Sequence, residues 1–230
     1  LGVSSTDSRS GPAARAMAIG AAAGALALAR LASGGAAGPA SVPPGLSDAC
    51  ATDNPYVVTV CHQQSGMVRE LADAKAAVVA FRDTPADYPS YLLATMGQVG
   101  SVYGLAYDAS GNALYAAAFH RRQLLFGPGG PGAIYRLDLT TGDVGHWATV
   151  PDAGQDNHDH RVGHPDIGAE RGAGKNSLGD LDLDPATRQL FVTNLATRRI
   201  VRLDLVTGQV LGDFAHGAIG ETWAADARPF

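Results

Sequence analysis

One stretch of this chain occurs twice, with short strand-like segments in the same order and phase. Residues 105–119 align with residues 181–195 at an offset of 181 − 105 = 76 positions. Residues 134–144 align with residues 200–210 at an offset of 200 − 134 = 66 positions. The difference, 76 − 66 = 10, indicates a ten-residue insertion inside the first copy. Such repetition is typical of repeat architectures, in which each unit packs against its neighbours.

Each copy contains four predicted strands separated by turns. The strands cover residues 102–107, 113–119, 133–139 and 144–150 in the first copy, and 179–183, 189–194, 200–205 and 210–214 in the second. Gly142 and Gly208 stand in the tight turns, where one residue must adopt a positive φ that glycine tolerates. Tyr135, Leu137 and Leu139 alternate with polar residues. This alternation predicts one packed face and one polar face for each strand.

Four antiparallel strands per unit describe a blade of a β-propeller, so the predicted fold is all-β with propeller-like repeats. Residues 56–96 contain further strand material that would form a degenerate unit. A ring needs at least about four blades. We therefore expect residues 50–230 to be a partial propeller-like domain that continues beyond residue 230. The alternative is a short open β-meander that is complete in itself.

The charge balance excludes one large class of partner. The net charge is −5, and Lys75 and Lys175 are the only lysines. Nucleic-acid binding needs clustered Lys and Arg to neutralise phosphates, so no nucleic-acid partner is expected. Two small basic clusters, at residues 120–122 and 198–199, lie at predicted strand ends. We expect both to be solvated loops.

Residues 1–49 differ in composition from the rest and are predicted to be a leader and linker. Residues 16–29 form an apolar run of 14 residues behind Arg9 and Arg15. A bilayer span needs about 20 residues, whereas a secretory signal needs fewer. The pattern favours an exported, secreted or cell-surface protein with no transmembrane span. An Ala-rich disordered leader is the alternative.

The two cysteines agree with export. Cys50 and Cys61 lie 61 − 50 = 11 positions apart. In an oxidising compartment we expect them to form one disulfide. In a reducing compartment they would instead be a pair of free buried thiols.

Several motifs together resemble a known class of surface protein. They are GSVYGLAYD (100–108), LYAAAFHRR (114–122), GPGGPGAIYRLD (127–138), LGDLDLD (178–184) and LFVTNL (190–195). This pattern resembles the N-terminal propeller-like region of bacterial surface proteins that carry SdrD B-like domains. More broadly, it is similar to YVTN/NHL-type propeller repeats, a group that includes binding scaffolds and enzymes. The resemblance implies a secreted or wall-associated protein with no established reaction.

The loop between the two copies concentrates possible metal ligands. It contains Asp156, Asn157, His158, Asp159, His160 and His164. Imidazole with carboxylate suits zinc or another transition metal, whereas Asp and Asn oxygens alone suit calcium. A solvated polar loop, a calcium-like site and a transition-metal site all remain open.

A second group of carboxylates lies on one predicted strand. Asp180, Asp182 and Asp184 alternate and therefore share a face. Three like charges on one buried face would be costly, so the face must be wet, metal-bound or partly protonated. We add Asp180 to the candidate metal ligands, because carboxylates near a central channel hold a divalent cation in propellers of the lactonase type. Turn formation by Asp184-Pro185 is the alternative explanation.

Two functions follow from these features. The first is an exported or cell-surface binding scaffold that contacts a protein or glycan through loops 120–132 and 151–176. The alternative is a metal-dependent hydrolase of the lactonase type, in which calcium or another divalent cation activates water. No nucleophile motif is present in the sequence, so we predict no catalytic side chain and no organic cofactor.

Overall fold

The computed structural model describes residues 55–62, 74–82, 90–159, 161 and 164–216. The predicted leader at residues 1–49 and the residue Cys50 lie outside this part, so export and the Cys50–Cys61 disulfide stay predictions. Among the described residues, no helix has the length and apolarity needed to cross a membrane.

The described residues form strands that pair antiparallel, together with two short helices. The strands are β1 (Val57–Val60), β2 (Ala76–Phe81), β3 (Ser90–Thr95), β4 (Val102–Asp108), β5 (Ala113–Ala118), β6 (Ala133–Asp138), β7 (Val144–Thr149), β8 (Leu178–Asp184), β9 (Gln189–Asn194), β10 (Arg199–Asp204) and β11 (Val210–Ala215). The helices are α1 (Met96–Val99) and α2 (Ile167–Gly172).

The strands make three antiparallel sheets. The first sheet contains β1–β2–β3, the second β4–β5–β6–β7 and the third β8–β9–β10–β11. The second and third sheets are the two sequence copies, so the predicted all-β fold with four-stranded antiparallel units is confirmed. Each of these sheets follows chain order, as a meander does, which lets neighbouring strands be joined by tight turns.

The two copies repeat each other in strand register as well as in sequence. Leu114 pairs with Leu137 in the second sheet, and the equivalent Leu190 pairs with Leu203 in the third. The first two strands of each sheet also share an irregularity, between Val102 and Leu105 in β4 and between residues 178 and 181 in β8. A shared register and a shared bulge show that the repeat extends to the backbone.

The predicted glycine turns are confirmed. Gly142 has φ 82° and Gly208 has φ 71°. Their N–H groups donate to Asp138 O at 2.8 Å and Asp204 O at 2.9 Å. Each of these aspartates also accepts backbone N–H bonds from the turn through its carboxylate, which lowers the pKa of both side chains.

Two apolar layers hold the sheets together, and the second sheet contributes to both. All six residues of β5 are buried. Leu114, Ala116 and Ala118 belong to the layer shared with the first sheet, and Ala113, Tyr115 and Ala117 belong to the layer shared with the third. The expectation of one packed and one polar face is therefore wrong for β5, because a sheet lies on each side of it. Trp147 packs edge-on against Tyr115 at 4.8 Å between ring centroids.

The second and third sheets approach most closely where β4 meets β8. A Cβ on Gly104 would lie 2.6 Å from Gly179 O and 2.7 Å from Leu181 N. Glycine is therefore the residue that lets these backbones touch. The offset of 76 places Asp180 at the same position in the third sheet (104 + 76 = 180), and Asp180 is exposed.

An ion pair also links the two copies. Arg188, in the β8–β9 turn, donates through Nη1 to the Asp108 carboxylate at 2.9 and 3.1 Å. Asp108 is 3% exposed. Burial opposes its ionisation, but hydrogen bonds from Ser110 and Arg188 outweigh burial and hold its pKa below the usual value.

Candidate functional site

His120 is the residue around which the site is built. It follows the end of β5 and is fully buried. Its backbone N–H donates to Ser177 Oγ at 2.7 Å, which ties the end of β5 to the start of β8. The sequence predicted a solvated loop for residues 120–122, and for His120 that prediction is wrong, because the 151–176 loop folds over this strand end.

Glycines allow the loop to lie this close. A Cβ on Gly172, the last residue of α2, would lie 2.8 Å from Cε1 and Nδ1 of His120. A Cβ on Gly154 would overlap Oδ1 of Asn176, and one on Gly168 would overlap the backbone oxygen of Asn157. Gly154 also has φ 90°, a conformation that residues with a Cβ rarely adopt. The three glycines therefore permit the dense packing of the loop.

Asn176 determines which ring nitrogen of His120 carries the proton. Its Oδ1 accepts from Gln155 N at 3.1 Å, and its Nδ2 donates to Gln155 O at 2.5 Å. These two bonds fix the amide orientation, so Nδ2 also donates to His120 Nδ1 at 2.7 Å. Because Nδ1 accepts, the neutral His120 ring carries its proton on Nε2.

The same surroundings keep His120 neutral. Burial disfavours the imidazolium, and the neighbouring His158 adds to the effect, while Asp156 and Asp166 oppose it. The pKa of His120 is lowered from 6.5 to about 4. Its Nε2 is buried and has no hydrogen-bond partner among the residues that the structure describes.

His158 has the opposite ring arrangement. Its side chain is fully buried, and its Nδ1 lies 2.9 Å from Asp166 Oδ2. Burial opposes ionisation of Asp166, but hydrogen bonds from Gln123 N, His158 and Asp159 N outweigh it and hold the Asp166 pKa below its usual value. An ionised Asp166 accepts the Nδ1 proton of His158, which leaves the ring lone pair on Nε2.

The two rings and one carboxylate form a compact group. The His120 and His158 rings meet edge to face at 4.7 Å between centroids, and Phe126 packs against both at 5.1 and 5.5 Å. Asp156 completes the group from the solvent side, and its Oδ1 accepts from His158 N at 3.0 Å. One ligand atom from each of His120, Asp156 and His158 lies within 4.8 Å of the others.

The structure brings together only part of the predicted ligand set. Asp156 and His158 are in the group, whereas His160 lies outside the described residues. Asp159, His164 and Asp180 are not part of any group of three His, Cys, Asp or Glu side chains that the described residues form, and Asn157 is exposed. Asp159 is instead paired with Arg161 at 2.6 Å and His164 at 3.3 Å. Asp180 accepts a hydrogen bond from Leu181 N, its chain neighbour, at 2.9 Å.

His120 was assigned to no candidate metal site from the sequence and now has a place in this group. Asp166 and Asn176, which were not among the predicted metal ligands, contact the two histidine rings. One signal could have pointed to His120. Its equivalent in the second copy is Ala196 (120 + 76 = 196), so a histidine replaces a small residue just before the insertion that only the first copy has.

Comparisons with known proteins place the chain beside larger molecules. No protein-family model matches it. It is 28% identical over 172 residues to Colossin-D of Dictyostelium discoideum, covering 66% of this chain and 18% of that protein. It is 33% identical over 116 residues to Colossin-A of the same organism, covering 47% of this chain and 1% of that protein. The chain therefore spans less than a fifth of either curated relative.

Among solved structures, the chain overlaps in part with two proteins of low sequence identity. The nidogen/laminin complex shares 12% identity over 60% of this chain and 38% of that chain, with a TM-score of 0.37. Regucalcin, a calcium-binding protein from Agrobacterium tumefaciens, shares 11% identity over 70% of this chain and 45% of that chain, with a TM-score of 0.35.

Proposed function

We propose that this chain is a propeller-like binding module of an exported or cell-surface protein, which recognises a protein or glycan through the loops at one end of its sheets. The observation that carries the proposal is the anchoring of the 151–176 loop. Asn176 donates to His120 Nδ1 and Asp166 accepts from Gln123 N, so these hydrogen bonds fasten this long loop to the residues that follow β5. A loop held in one conformation loses little entropy on binding, which suits recognition.

The partial matches to the Colossins support a module rather than a whole protein. The chain corresponds to 18% of one relative and 1% of the other. Repeated sheets joined by tight turns also suit a scaffold, since the framework can stay constant while the loops differ. The two copies differ in the ten-residue insertion, which the second copy lacks.

Binding can be tested with the purified chain on an array of glycans and an array of extracellular proteins. We expect retention on at least one array and loss of retention in Asp166→Asn, which removes the carboxylate that anchors the loop. Gly145→Ala is the matched control, because a Cβ at Gly145 would meet nothing within 4 Å. If wild type binds neither array, or binds as Asp166→Asn does, loop recognition is refuted. A reporter fused behind residues 1–49 would test export separately.

The second candidate is a metal-dependent hydrolase of the lactonase type. The group of His120, Asp156 and His158 favours it, since two imidazoles and a carboxylate can hold a divalent cation. When bound, such a cation lowers the pKa of water and supplies a nucleophile. Asp180 takes no part in this group, so the ligand set differs from the predicted one.

Hydrolysis can be measured with simple γ- and δ-lactones after the chain is loaded with zinc, calcium or manganese. Activity that is lost in His158→Asn and kept in Asp180→Asn would support the hydrolase. No turnover with any of the three metals would eliminate it and would leave the binding module standing.

A further inference from the structure

We propose that His120, Asp156 and His158 form a three-ligand site for a transition metal of the zinc class. The metal binds only when the side-chain amide of Asn176 rotates by about 180°. This inference deepens the divalent-cation part of the proposed function. It names the metal class, a ligand that the sequence did not indicate, and a residue that controls occupancy.

The donor atoms select the metal class. Calcium takes six to eight oxygen ligands, and magnesium keeps several waters in an octahedral shell. This group offers one carboxylate and two imidazoles. Two imidazole nitrogens and one carboxylate oxygen, with a fourth position for water, match the ligands that zinc, cobalt and nickel prefer. We therefore expect zinc to bind and calcium to fail.

The distances between the three ligand atoms are somewhat longer than those expected around a bound zinc ion. Zinc–ligand bonds of about 2.0–2.1 Å in a tetrahedron put ligand atoms about 3.3 Å apart. The three ligand atoms here lie within 4.8 Å of one another. His120 and His158 are buried rings held by neighbours, whereas Asp156 is exposed. Asp156 is therefore the ligand with room to move inward.

His158 already has the arrangement that a metal needs. Its Nδ1 is 2.9 Å from the buried Asp166 carboxylate. A carboxylate on the far ring nitrogen is the usual outer-shell partner of a metal-binding histidine, because it fixes the tautomer and raises ligand basicity. Asp166 acts in this way as a positioning residue.

His120 has the wrong tautomer. With Nδ1 accepting from Asn176 Nδ2, Nε2 carries the proton and offers no lone pair. Nε2 is also the ring nitrogen left for a metal, since Asn176 occupies Nδ1. It is buried and has no hydrogen-bond partner in the described part of the chain, which is rare for a buried polar atom. A group placed there would satisfy it.

A rotation of about 180° of the Asn176 side-chain amide would allow His120 to adopt the tautomer that binds a metal through Nε2. Asn176 Oδ1 would then accept from Nδ1–H of His120, and the proton would leave Nε2 for Nδ1. The rotation breaks both bonds to Gln155, at 3.1 and 2.5 Å. Losing two ordinary hydrogen bonds weakens binding by roughly 30-fold. Metal occupancy is thus coupled to the backbone of the loop at Gln155.

The variants below separate the ligands from the fold. His120→Asn keeps an acceptor for Asn176 where Nδ1 stood but removes Nε2. His158→Asn keeps a donor to Asp166 but likewise removes Nε2. Asn176→Asp places a carboxylate beside His120 Nδ1, which sets the metal-binding tautomer without any rotation. Asp180→Asn and His146→Ala are controls that remove one carboxylate or one imidazole outside the group.

The full chain is stripped with a chelator and titrated with zinc chloride by competition against a chromogenic chelator. We expect one equivalent to bind in wild type and in both controls, a loss of at least about 100-fold in His120→Asn and His158→Asn, and a gain of up to about 30-fold in Asn176→Asp. Cobalt(II) should give the visible absorption of a tetrahedral site, and calcium chloride should give no binding.

Two results would overturn the inference. One is equal zinc affinity for wild type, His120→Asn and His158→Asn, with all three proteins shown to be folded by circular dichroism. The other is an Asn176→Asp variant that binds zinc no more tightly than wild type, which would remove Asn176 as the controlling residue. Failure of lactone hydrolysis or of array binding with zinc bound would count against the proposed functions and not against this site.

Discussion

Acidification should destabilise this chain through one buried side chain, His120. Its pKa is lowered from 6.5 to about 4 in the folded protein, mainly by burial. Between these two values the unfolded chain binds one more proton than the folded chain, so the free energy of unfolding falls as the pH falls. The slope approaches the limit for one proton, about 1.4 kcal/mol per pH unit, and the loss at pH 4.5 amounts to roughly 2–3 kcal/mol relative to pH 7.5.

Urea unfolding at pH 7.5, 6.0, 5.0 and 4.5 with a chelator present would measure this loss. The matched variant is His120→Asn, which cannot take up the proton but still accepts from Asn176. All other ionisable residues are the same in the two proteins, so the difference between the two curves reports on His120. The range stops at pH 4.5, because Asp108 and Asp166 have lowered pKa values and lose their contribution at lower pH. Parallel curves for wild type and variant would refute the neutral, buried assignment of His120.

Three further changes test the contacts between and around the sheets. Gly104→Ala should lower the free energy of unfolding by about 1–3 kcal/mol, because its Cβ meets the β8 backbone, whereas Gly145→Ala should be neutral; equal urea midpoints would contradict this. Arg188→Met should lower the free energy of unfolding by about 1 kcal/mol. This is less than for a fully buried ion pair, because the Arg188 side chain is 39% exposed. A double-mutant cycle with Asp108→Asn should show that the two residues are energetically coupled. Asp166→Asn should cost about 2 kcal/mol or more, since Gln123 N loses its charged acceptor; an unchanged melting temperature would argue against the network.

The sequence predicted the parts of the fold that depend on local pattern. The offsets of 76 and 66 located the paired sheets, because repeated alternation and repeated turn glycines produce repeated register. Gly142 and Gly208 were identified correctly, since a turn requires positive φ whatever packs around it.

What could not be predicted depends on contacts distant in sequence. The double-sided burial of β5 follows from sheets on both sides of it, and period-two alternation cannot show that when alanine fills both faces. His120 and Asn176 are 56 residues apart, so only the fold brings them together. Asp166 has a positive φ of 51° and a buried carboxylate, and nothing in its local sequence marks either property.

Gly104 has a consequence for anyone who would lengthen this protein by duplicating its units. If a second copy of the third sheet were packed after the existing third sheet, Asp180 would occupy the position that Gly104 has in the existing contact. That position has room only for the hydrogen atom of a glycine. The duplicated pair would have to open or shift register. A design that adds such units should therefore change Asp180 to glycine at each internal junction and keep the aspartate for the terminal unit.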